Sequence, residues 1–440
     1  MKSILVVNAM LPDGAYVDIL LEKGKIERID SSILCPVDIV IDAKGMLVIP
    51  GVIDGHVHLR LPGGETKETW EHASVACLLG GVTTVFDMPN TSPPLVTYDG
   101  IDAKAALIGE QPINYRFWFG ATNDNMEGVA RAATHPMVIG LKIYMGSSTG
   151  NLLVHEDEPL LAHFENCADQ GLICGVHAES EVLIRSNQKK YKGRTLRMHD
   201  HCLIRDTEVE MADVRRALEF QRRTGVRLGL LHMSAPESVM LARGAKCRGR
   251  DVFVEVCGHH ILLSCDYLHG DHGGFFKMNP PLRTQEQMEQ LRRLVCEGAA
   301  VDVLSTDHAP HTIAEKMSGD VTETPSGVPG VQTQLSVLLD MVSKGEMSLA
   351  RLVDLTSRNA AQIYNMEGKG EVAEGYDADL VIVDMDVAVT IRNRDMASRC
   401  EWTPFDGMTV CGRPVYTIAK GIAYDLDVVQ HTRRAIPIIG

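Results

Sequence analysis

The chain has 440 residues, of which 45% are hydrophobic and 23% are charged. This is an ordinary globular composition and it excludes an intrinsically disordered chain. The 43 basic and 58 acidic residues leave a formal charge of −15, which argues against nucleic acid or an anionic membrane surface as the main partner. A small anionic substrate stays open, because a local cationic group can hold a carboxylate whatever the net charge.

The sequence predicts neither a targeting segment nor disulfide bonds. Its first residues lack the apolar core and cleavage site of a signal peptide, and no stretch approaches the roughly 18 apolar residues of a membrane-spanning helix. The 11 cysteines include no Cys-x-x-Cys pair, which is typical of reduced thiols and not of a disulfide framework. We therefore predict a soluble, cytoplasmic protein.

Both ends of the chain have the pattern of short strands and turns. Apolar runs near the N-terminus lie at 3–7, 16–21, 26–29, 39–41 and 46–49. Runs of the same kind return after residue 368, at 378–383, 413–419 and 422–425. Because the two ends resemble each other and not the middle, residues 1–50 and 368–440 are predicted to form one small β-sandwich domain.

The middle of the chain, residues 51–367, has a different pattern. Short apolar or β-branched runs alternate with segments of helical period, such as 160–170 and 209–224. The strand candidates are 51–54, 83–88, 115–120, 139–143, 173–177, 228–232, 252–256 and 301–305. This alternation over about 300 residues is typical of a (β/α)8, TIM-like barrel, and hence of the α/β class.

Residues that can bind metal ions lie at the ends of these strands. His56 and His58 are two residues apart, and on a strand this spacing points both imidazoles to the same side. Other polar residues at or near the ends of apolar runs are Lys142, His177, His232 and Asp307. Any one of them could be a capping or core group, but their recurrence at strand ends, where barrel enzymes build their sites, favours a metal centre. Imidazole and carboxylate ligands suit zinc, with iron, cobalt or manganese as alternatives.

Together with the segment Pro-Gly-Val-Ile-Asp-Gly-His-Val-His at 50–58, these residues resemble the amidohydrolase superfamily across nearly the whole chain. The resemblance implies two divalent metal ions, expected to be zinc. His56 and His58 would bind one ion together with Asp307, and a second ion would be bound by His177 and His232. Lys142, carboxylated by CO2, would bridge the two ions. The flanking β domain is also typical of that superfamily.

The surrounding residues resemble those of the dihydroorotase family within that superfamily. Arg60 follows the metal pair, and Asn90 lies in the run Asp-Met-Pro-Asn-Thr at 87–91. Both match positions at which the family binds its substrate, and a guanidinium fork fits a carboxylate. The run Thr-Asp-His-Ala-Pro-His at 306–311 matches a segment that supplies the general base, Asp307, and a substrate contact, His311. The further substrate contacts that the resemblance implies are His58, Asn279, Ser326 and Gly327.

This resemblance implies reversible hydrolysis of dihydroorotate to N-carbamoyl-L-aspartate, a step of de novo pyrimidine biosynthesis. A metal-bound hydroxide would attack the ring carbonyl, and Asp307 would accept its proton and pass it to the leaving ring nitrogen. The chain departs from the family at Leu61, where a glutamate is frequent. Allantoinases and dihydropyrimidinases or hydantoinases share most of the metal set and tolerate other residues there, so they remain alternatives. Arg60 and Asn90 favour dihydroorotate over uncharged rings.

A non-catalytic scaffold is the alternative from a different class. Scaffold members of the superfamily usually lack one or more metal ligands, whereas this chain has all six. His259 and His260 follow the strand at 252–256, but the metal set is complete without them, so a supporting or structural role is predicted. Analogy with the family indicates a homodimer, and the small residues of 146–150 permit a mobile lid.

Overall fold

The chain is described from a computed structural model that covers residues 1–148, 150 and 152–439. Thr149, in the segment whose composition permits a lid, lies outside the described residues. Over the described range, every helix is too short or too polar to span a lipid bilayer.

The described strands are β1 (Ile4–Met10), β2 (Tyr16–Glu22), β3 (Lys25–Asp30), β4 (Ile39–Asp42), β5 (Leu47–Pro50), β6 (Val52–Val57), β7 (Val82–Asp87), β8 (Asn114–Gly120), β9 (Val138–Tyr144), β10 (Cys174–His177), β11 (Leu228–Leu230), β12 (Val252–Cys257), β13 (Val303–Ser305), β14 (Leu380–Thr390), β15 (Thr409–Ala419) and β16 (Ile422–Asp425).

The described α-helices are α1 (Trp70–Leu79), α2 (Tyr98–Ile108), α3 (Met126–Ala132), α4 (Asp157–Gln170), α5 (Glu181–Lys190), α6 (Asp200–Ile204), α7 (Thr207–Thr224), α8 (Pro236–Lys246), α9 (Gly258–Leu262), α10 (Gln285–Cys296), α11 (Ile313–Lys316), α12 (Gln334–Ser343), α13 (Leu349–Val353), α14 (Asn359–Ile363) and α15 (Leu426–Thr432). Their ends follow local sequence signals. For example, α7 begins after Asp206, whose carboxylate accepts from the Val209 amide, and ends at Gly225 in the left-handed conformation.

Strands β6 to β13 form the predicted parallel barrel, and each strand pairs with the next one along the chain. The barrel closes where Val57, at the end of β6, pairs with His308, just beyond β13. At this closure the His58 amide donates to the His308 carbonyl at 2.7 Å. All eight predicted strand ranges overlap an observed barrel strand, so the predicted fold class is confirmed.

Aromatic residues fill the lower part of the barrel. The Trp118 indole is fully buried and donates to the Gly55 carbonyl at 2.9 Å. Gly140 and Gly175 on the neighbouring strands leave room for it, since a Cβ atom at either position would lie 2.6 Å from the Trp118 ring. Tyr364 follows α14 and packs edge-on against Trp118, with ring centroids 6.0 Å apart. This packing closes one end of the barrel and leaves the strand C-termini at the other end to form a site.

The strands from the two ends of the chain form a second sheet in the order β16-β15-β14-β5-β1-β2-β3, with β4 also beside β1. The two ends join through antiparallel pairing of β5 with β14, where Pro50 is opposite Leu380. Side chains from both ends share one hydrophobic core, which includes Ile4, Ile19, Val48, Leu380 and Ile418. The prediction that the two ends form one β structure is confirmed, and the domain limits near residues 50 and 368 stay predictions.

The terminal region also contains elements that the sequence pattern did not predict. Strand β14 continues to Thr390, beyond the apolar run, because its second half pairs with β15 after a register shift between Asp384 and Ala388. Helix α15 begins after Asp425, whose carboxylate accepts from the Asp427 and Val428 amides. The N-cap residue was a signal for this helix that the strand-and-turn interpretation overlooked.

Candidate metal centre and substrate cavity

A cavity at the C-terminal ends of the barrel strands collects nearly all the predicted site residues. Those that line it are His56, His58, Arg60, Asn90, Lys142, His177, His232, Asn279, Asp307, Ser326 and Gly327. His311 lies directly behind this wall, with its Nε2 atom 3.2 Å from Nη2 of Arg60. The predicted residues come from different strands and loops, so the barrel topology brings them together.

The first group of potential ligands consists of His56, His58 and Asp307, which are all buried. An Asp307 carboxylate oxygen lies 3.0 Å from Nε2 of His58 and 3.3 Å from Nε2 of His56. Three donor atoms this close can share one cation. Among the described residues, this arrangement matches the first predicted metal position.

His177 and His232 form the second group. Nδ1 of His177 lies 3.0 Å from Nε2 of His232, and both side chains are buried. The second group adjoins the first, because the His56 and His232 ring centroids are 5.1 Å apart. Two cation positions can therefore lie side by side in the cavity.

The outer nitrogen of two of these histidines contacts an oxygen acceptor at hydrogen-bond distance, and that of a third lies near a carboxylate. His56 Nδ1 lies 2.7 Å from Glu255 Oε1, and His58 Nδ1 lies 2.7 Å from Asn90 Oδ1. His177 Nε2 lies 2.9 Å from a Glu179 oxygen, which is an ion-pair distance. Histidines that bind metals usually donate their second N–H in this way, which fixes the tautomer and leaves the inner nitrogen free. The donor set therefore fits metal ions.

Burial favours the neutral form of three of these imidazoles, which is the form that binds metal ions. It lowers the pKa of His58 to about 4 and lowers the pKa of His177 and His232 from the usual value. Burial also disfavours ionisation of Asp307, but the imidazoles of His56 and His58 outweigh it and hold the pKa of this carboxyl well below its usual value. Neutral imidazoles and an ionised carboxylate are the forms that bind divalent cations.

Lys142, on β9, is fully buried, and among the described residues its Nζ has no hydrogen-bond partner. Burial lowers its pKa to about 8, because the charged form loses hydration there. An unpaired buried ammonium is costly, whereas a neutral amine can react with CO2 to give a carbamate anion. The environment of Lys142 thus fits the role of an anionic bridge.

Three of the site residues have left-handed backbone conformations that are uncommon for residues other than glycine. The φ angles are 65° at Arg60, 41° at His232 and 45° at Asp307. Such conformations cost of the order of 1–3 kcal/mol each and persist where the surrounding structure enforces them. Each of these residues lies two or three positions beyond the end of a strand and lines the cavity.

Arg60 is the main cationic group in the cavity wall. Its side chain is buried, its Nε donates to the Pro310 carbonyl at 3.2 Å, and its Nη2 faces His311. His311 Nε2 also lies 3.1 Å from the Ser326 carbonyl oxygen, and the Lys67 ammonium lies 3.2 Å from Nδ1 of His311. Arg60 thus still has N–H groups that can donate hydrogen bonds to a ligand in the cavity.

The opposite wall contains Asn279, Ser326 and Gly327. The Ser326 hydroxyl donates to Asn279 Oδ1 at 3.2 Å, and Asn279 Nδ2 donates to the Ser148 hydroxyl at 3.4 Å. Gly327 has a φ of 140°, and a Cβ atom there would lie 2.5 Å from the Ala309 carbonyl oxygen. Glycine is therefore required at this position for the wall to approach closely.

Several residues of the site were missed in the sequence interpretation. Tyr144 lines the cavity, and its buried hydroxyl has no hydrogen-bond partner among the described residues. It lies two residues after Lys142 on β9, so the alternation of a strand could have predicted it. Glu255 had no such signal, because it contacts His56 from a distant part of the chain, whereas Glu179 lies two residues after His177 and was overlooked. Trp402, from the terminal region, donates to the His311 carbonyl at 2.7 Å and supports the substrate wall from outside the barrel.

A comparison with known protein families identifies the family of this chain. The model of the amidohydrolase family matches residues 47–423, which is most of the chain. The chain belongs to the amidohydrolase family. This membership confirms the superfamily predicted from the strand-end residues, and members of the family typically use two metal ions.

Individual relatives of this amidohydrolase are similar over nearly their whole length. A dihydroorotase of Halobacterium salinarum is 37% identical over 428 residues, covering 96% of this chain and 97% of that protein. A dihydroorotase of Methanosarcina mazei is 35% identical, covering 92% and 89% of the two chains. Among solved structures, an L-hydantoinase (dihydropyrimidinase) from Arthrobacter aurescens superposes with a TM-score of 0.92 at 31% identity, covering 96% of each chain. The amidohydrolase is thus an enzyme that hydrolyses cyclic amides, as predicted.

Proposed function

We propose that this amidohydrolase is a dihydroorotase, which interconverts dihydroorotate and N-carbamoyl-L-aspartate in pyrimidine biosynthesis. The observation that carries the proposal is Arg60. Within the described residues, no carboxylate lies within ion-pair distance of its buried guanidinium, which faces the cavity beside His311. A buried cation is costly unless it is paired, and the carboxylate of dihydroorotate would supply the partner.

The similarity to relatives with two different activities leaves a second candidate. The L-hydantoinase structure has nearly the same backbone, so the fold does not discriminate between the rings. The departure at Leu61 is compatible with either activity, because this side chain packs against the main hydrophobic core of the barrel. The unpaired Arg60 favours a substrate that carries its own carboxylate, and the curated relatives named dihydroorotase support the same choice.

The metal ions would be bound by the two histidine groups, with Lys142 as the bridge after carboxylation. In that step the neutral amine forms an N–C bond with CO2 and releases a proton, which leaves one negative charge on the carbamate. Two divalent ions, which we propose to be zinc, would make water more acidic and would polarise the substrate carbonyl.

The chain's own residues would position the substrate and move the proton. Arg60, Asn90 and His311 would hold the carboxylate of the substrate, and Asn279, Ser326 and Gly327 would contact the ring. Asp307 would accept a proton from the attacking water and return it to the ring nitrogen as the amide C–N bond breaks. Its oxygen lies beside both His56 and His58, so the base is held at the reacting centre. Water thus adds across the amide bond and no further reactant is consumed.

The first test is turnover of dihydroorotate, hydantoin, dihydrouracil and allantoin by the purified enzyme of known zinc content. We expect kcat/KM to be highest for dihydroorotate, since only this ring carries a carboxylate for Arg60. A preference for one of the uncharged rings would contradict the substrate assignment while leaving the metal centre in place. No turnover of any ring by zinc-replete enzyme would instead favour the scaffold alternative.

Metal removal should reveal the role of Lys142. The enzyme is first stripped of metal by a chelator and kept free of CO2. We expect zinc alone to restore little bound zinc and little activity, whereas zinc together with bicarbonate should restore more bound zinc and more activity. The reason is that zinc stabilises the carbamate, which forms only from CO2 and the neutral amine. Bound zinc and activity are both measured, with Lys142→Gln as the control that bicarbonate should not rescue. Equal zinc uptake with and without bicarbonate would contradict a carbamate bridge.

A further inference from the structure

A second cluster of potential ligands lies beside the metal centre, at the junction of β12 and α9. It consists of Cys257, His259 and His260, and one donor atom of each lies within 4.8 Å of the donor atoms of the other two. All three side chains are buried, with exposed fractions of 0%, 4% and 3% respectively. None of them lines the cavity that contains the first centre.

The histidines of this cluster have nitrogen atoms whose hydrogen-bonding capacity is unused. Within the described residues, Nε2 of His259 and Nδ1 of His260 are buried and have no hydrogen-bond partner. His260 is oriented through its other nitrogen, because Nε2 lies 3.0 Å from the Pro280 carbonyl oxygen and donates to it. A ring nitrogen that donates to a backbone carbonyl, with the other nitrogen left for a ligand, is the arrangement of a metal-binding histidine.

The backbone around the cluster is well fixed. Cys257 ends β12, where it is paired with Ser305 of β13. The Gly258 amide donates to Oε1 of Gln334 on α12 at 3.2 Å, which anchors the start of α9. The three ligands therefore come from a short segment whose position is set by a strand, a helix and a side-chain contact.

We propose that Cys257, His259 and His260 bind an additional zinc ion, distinct from the two ions of the catalytic centre. One thiolate and two imidazoles are a ligand set that zinc uses, and they leave one position of a tetrahedron for a further ligand. Binding would displace the thiol proton, form one Zn–S and two Zn–N bonds, and use the two unpartnered nitrogens. The ion would join the end of β12 to α9, so we assign it a structural role. This proposal does not depend on the identity of the substrate.

The thiolate distinguishes this site from the catalytic centre, whose proposed ligands contain only nitrogen and oxygen. We therefore expect the cobalt(II)-substituted holoenzyme to show sulfur-to-cobalt charge-transfer absorption in the near ultraviolet. Zinc-loaded enzyme should also contain one more ion per chain than Cys257→Ala. Absence of the sulfur band from the wild-type cobalt enzyme would overturn the proposal, and this measurement requires no variant.

Matched variants identify the cysteine. Cys257→Ala and His259→Gln should each lose the additional ion, and Cys257→Ala should lose the sulfur band. Cys265→Ala is the control, because Cys265 is another buried cysteine that interacts with a histidine, His199. It should retain both the band and the ion. A band that persists in Cys257→Ala and disappears in Cys265→Ala would place the sulfur ligand elsewhere and overturn the proposal.

Discussion

At the scale of single residues, Arg60 combines an uncommon backbone conformation with a buried guanidinium that we propose binds the substrate carboxylate. It has a left-handed φ of 65° directly after the metal pair, and its guanidinium is buried against Pro310 and His311. Burial lowers the pKa of Arg60 from its usual value, which reflects the cost of holding a cation there. A substrate carboxylate would offset that cost on binding, so discrimination between charged and uncharged rings can depend on one side chain.

Replacing Arg60 by Gln should therefore affect one class of substrate selectively. Loss of a buried charge partner costs about 2–5 kcal/mol, which corresponds to a decrease of roughly 30- to 5,000-fold in kcat/KM for dihydroorotate. Steady-state kinetics with dihydroorotate and dihydrouracil measure the effect, and zinc content should be unchanged. Arg116→Gln, at a half-buried arginine early in β8, is the control and should leave kcat/KM unchanged. Equal losses for both substrates would contradict carboxylate recognition by Arg60.

At the scale of elements, the site depends on how strand ends are held together. Glu255, on β12, accepts from His56 Nδ1 at 2.7 Å and from the His232 amide at 3.0 Å with one oxygen. Its other oxygen accepts from the Ser305 hydroxyl at 2.9 Å. One buried carboxylate thus connects β6, the turn after β11, and β13. The strands position the ligands, and Glu255 fixes their relative orientation.

We expect Glu255→Gln to weaken zinc binding without unfolding the barrel. The amide can keep the contacts to His56 and Ser305 but removes the negative charge that makes His56 a stronger ligand, and changes of this type typically cost about 10- to 100-fold in metal affinity. Competition with a chromogenic chelator measures the zinc dissociation constant. Glu68→Gln is the control, because Glu68 is equally buried but contacts His308 and Ser398 instead of a predicted ligand. A similar loss of zinc affinity in both variants would indicate a general effect of buried charge.

At the scale of the whole molecule, the charge around the cavity is opposite to the net charge. A larger cavity adjoins the catalytic one and shares Ser148, Asn279 and Ser326 with it. Its cationic lining consists of Arg185, Lys189, Lys192, Arg194, Arg205 and Lys277, and within the described residues no carboxylate side chain lines it. The formal charge of the chain is −15, so this lining is opposite in sign to the net charge. Such a vestibule concentrates an anionic substrate at the site.

The rate of substrate capture should therefore depend on ionic strength. We expect kcat/KM for dihydroorotate to fall several-fold as salt rises from about 10 to 200 mM, because screening over about 10 Å removes the attraction of exposed charges. Turnover at saturation should change little. The double variant Lys189→Gln/Lys192→Gln should reduce this salt dependence, and Lys23→Gln/Lys44→Gln in the terminal sheet is the charge-matched control. An unchanged salt dependence in the first variant would show that the vestibule does not steer the substrate.

The sequence by itself determined the barrel, the β structure of the termini and most of the candidate site. Apolar runs alternating with helical periods are local patterns, and parallel barrel strands must end in the same place, so the residues that follow them could be grouped before any coordinates were known. The pairs His56 and His58, and Lys142 and Tyr144, follow from strand alternation alone, although the second was overlooked. The family resemblance supplied the proposed roles of these residues.

Only the tertiary structure decided which groups support the predicted ligands and which buried polar groups are left without a partner among the described residues. Glu255 and Trp402 contact site residues that are distant in sequence, and no local pattern encodes such contacts. The left-handed turns at His232 and Asp307 arise because the closed barrel over-determines the strand ends, against the local preference of these residues. The same holds for the guanidinium of Arg60, which has no ion-pair partner among the described residues, and for the nitrogens of His259 and His260 that lack a hydrogen-bond partner there. Burial and the absence of a partner are properties of the packed chain, because they depend on everything that surrounds a group and not on its neighbours in sequence.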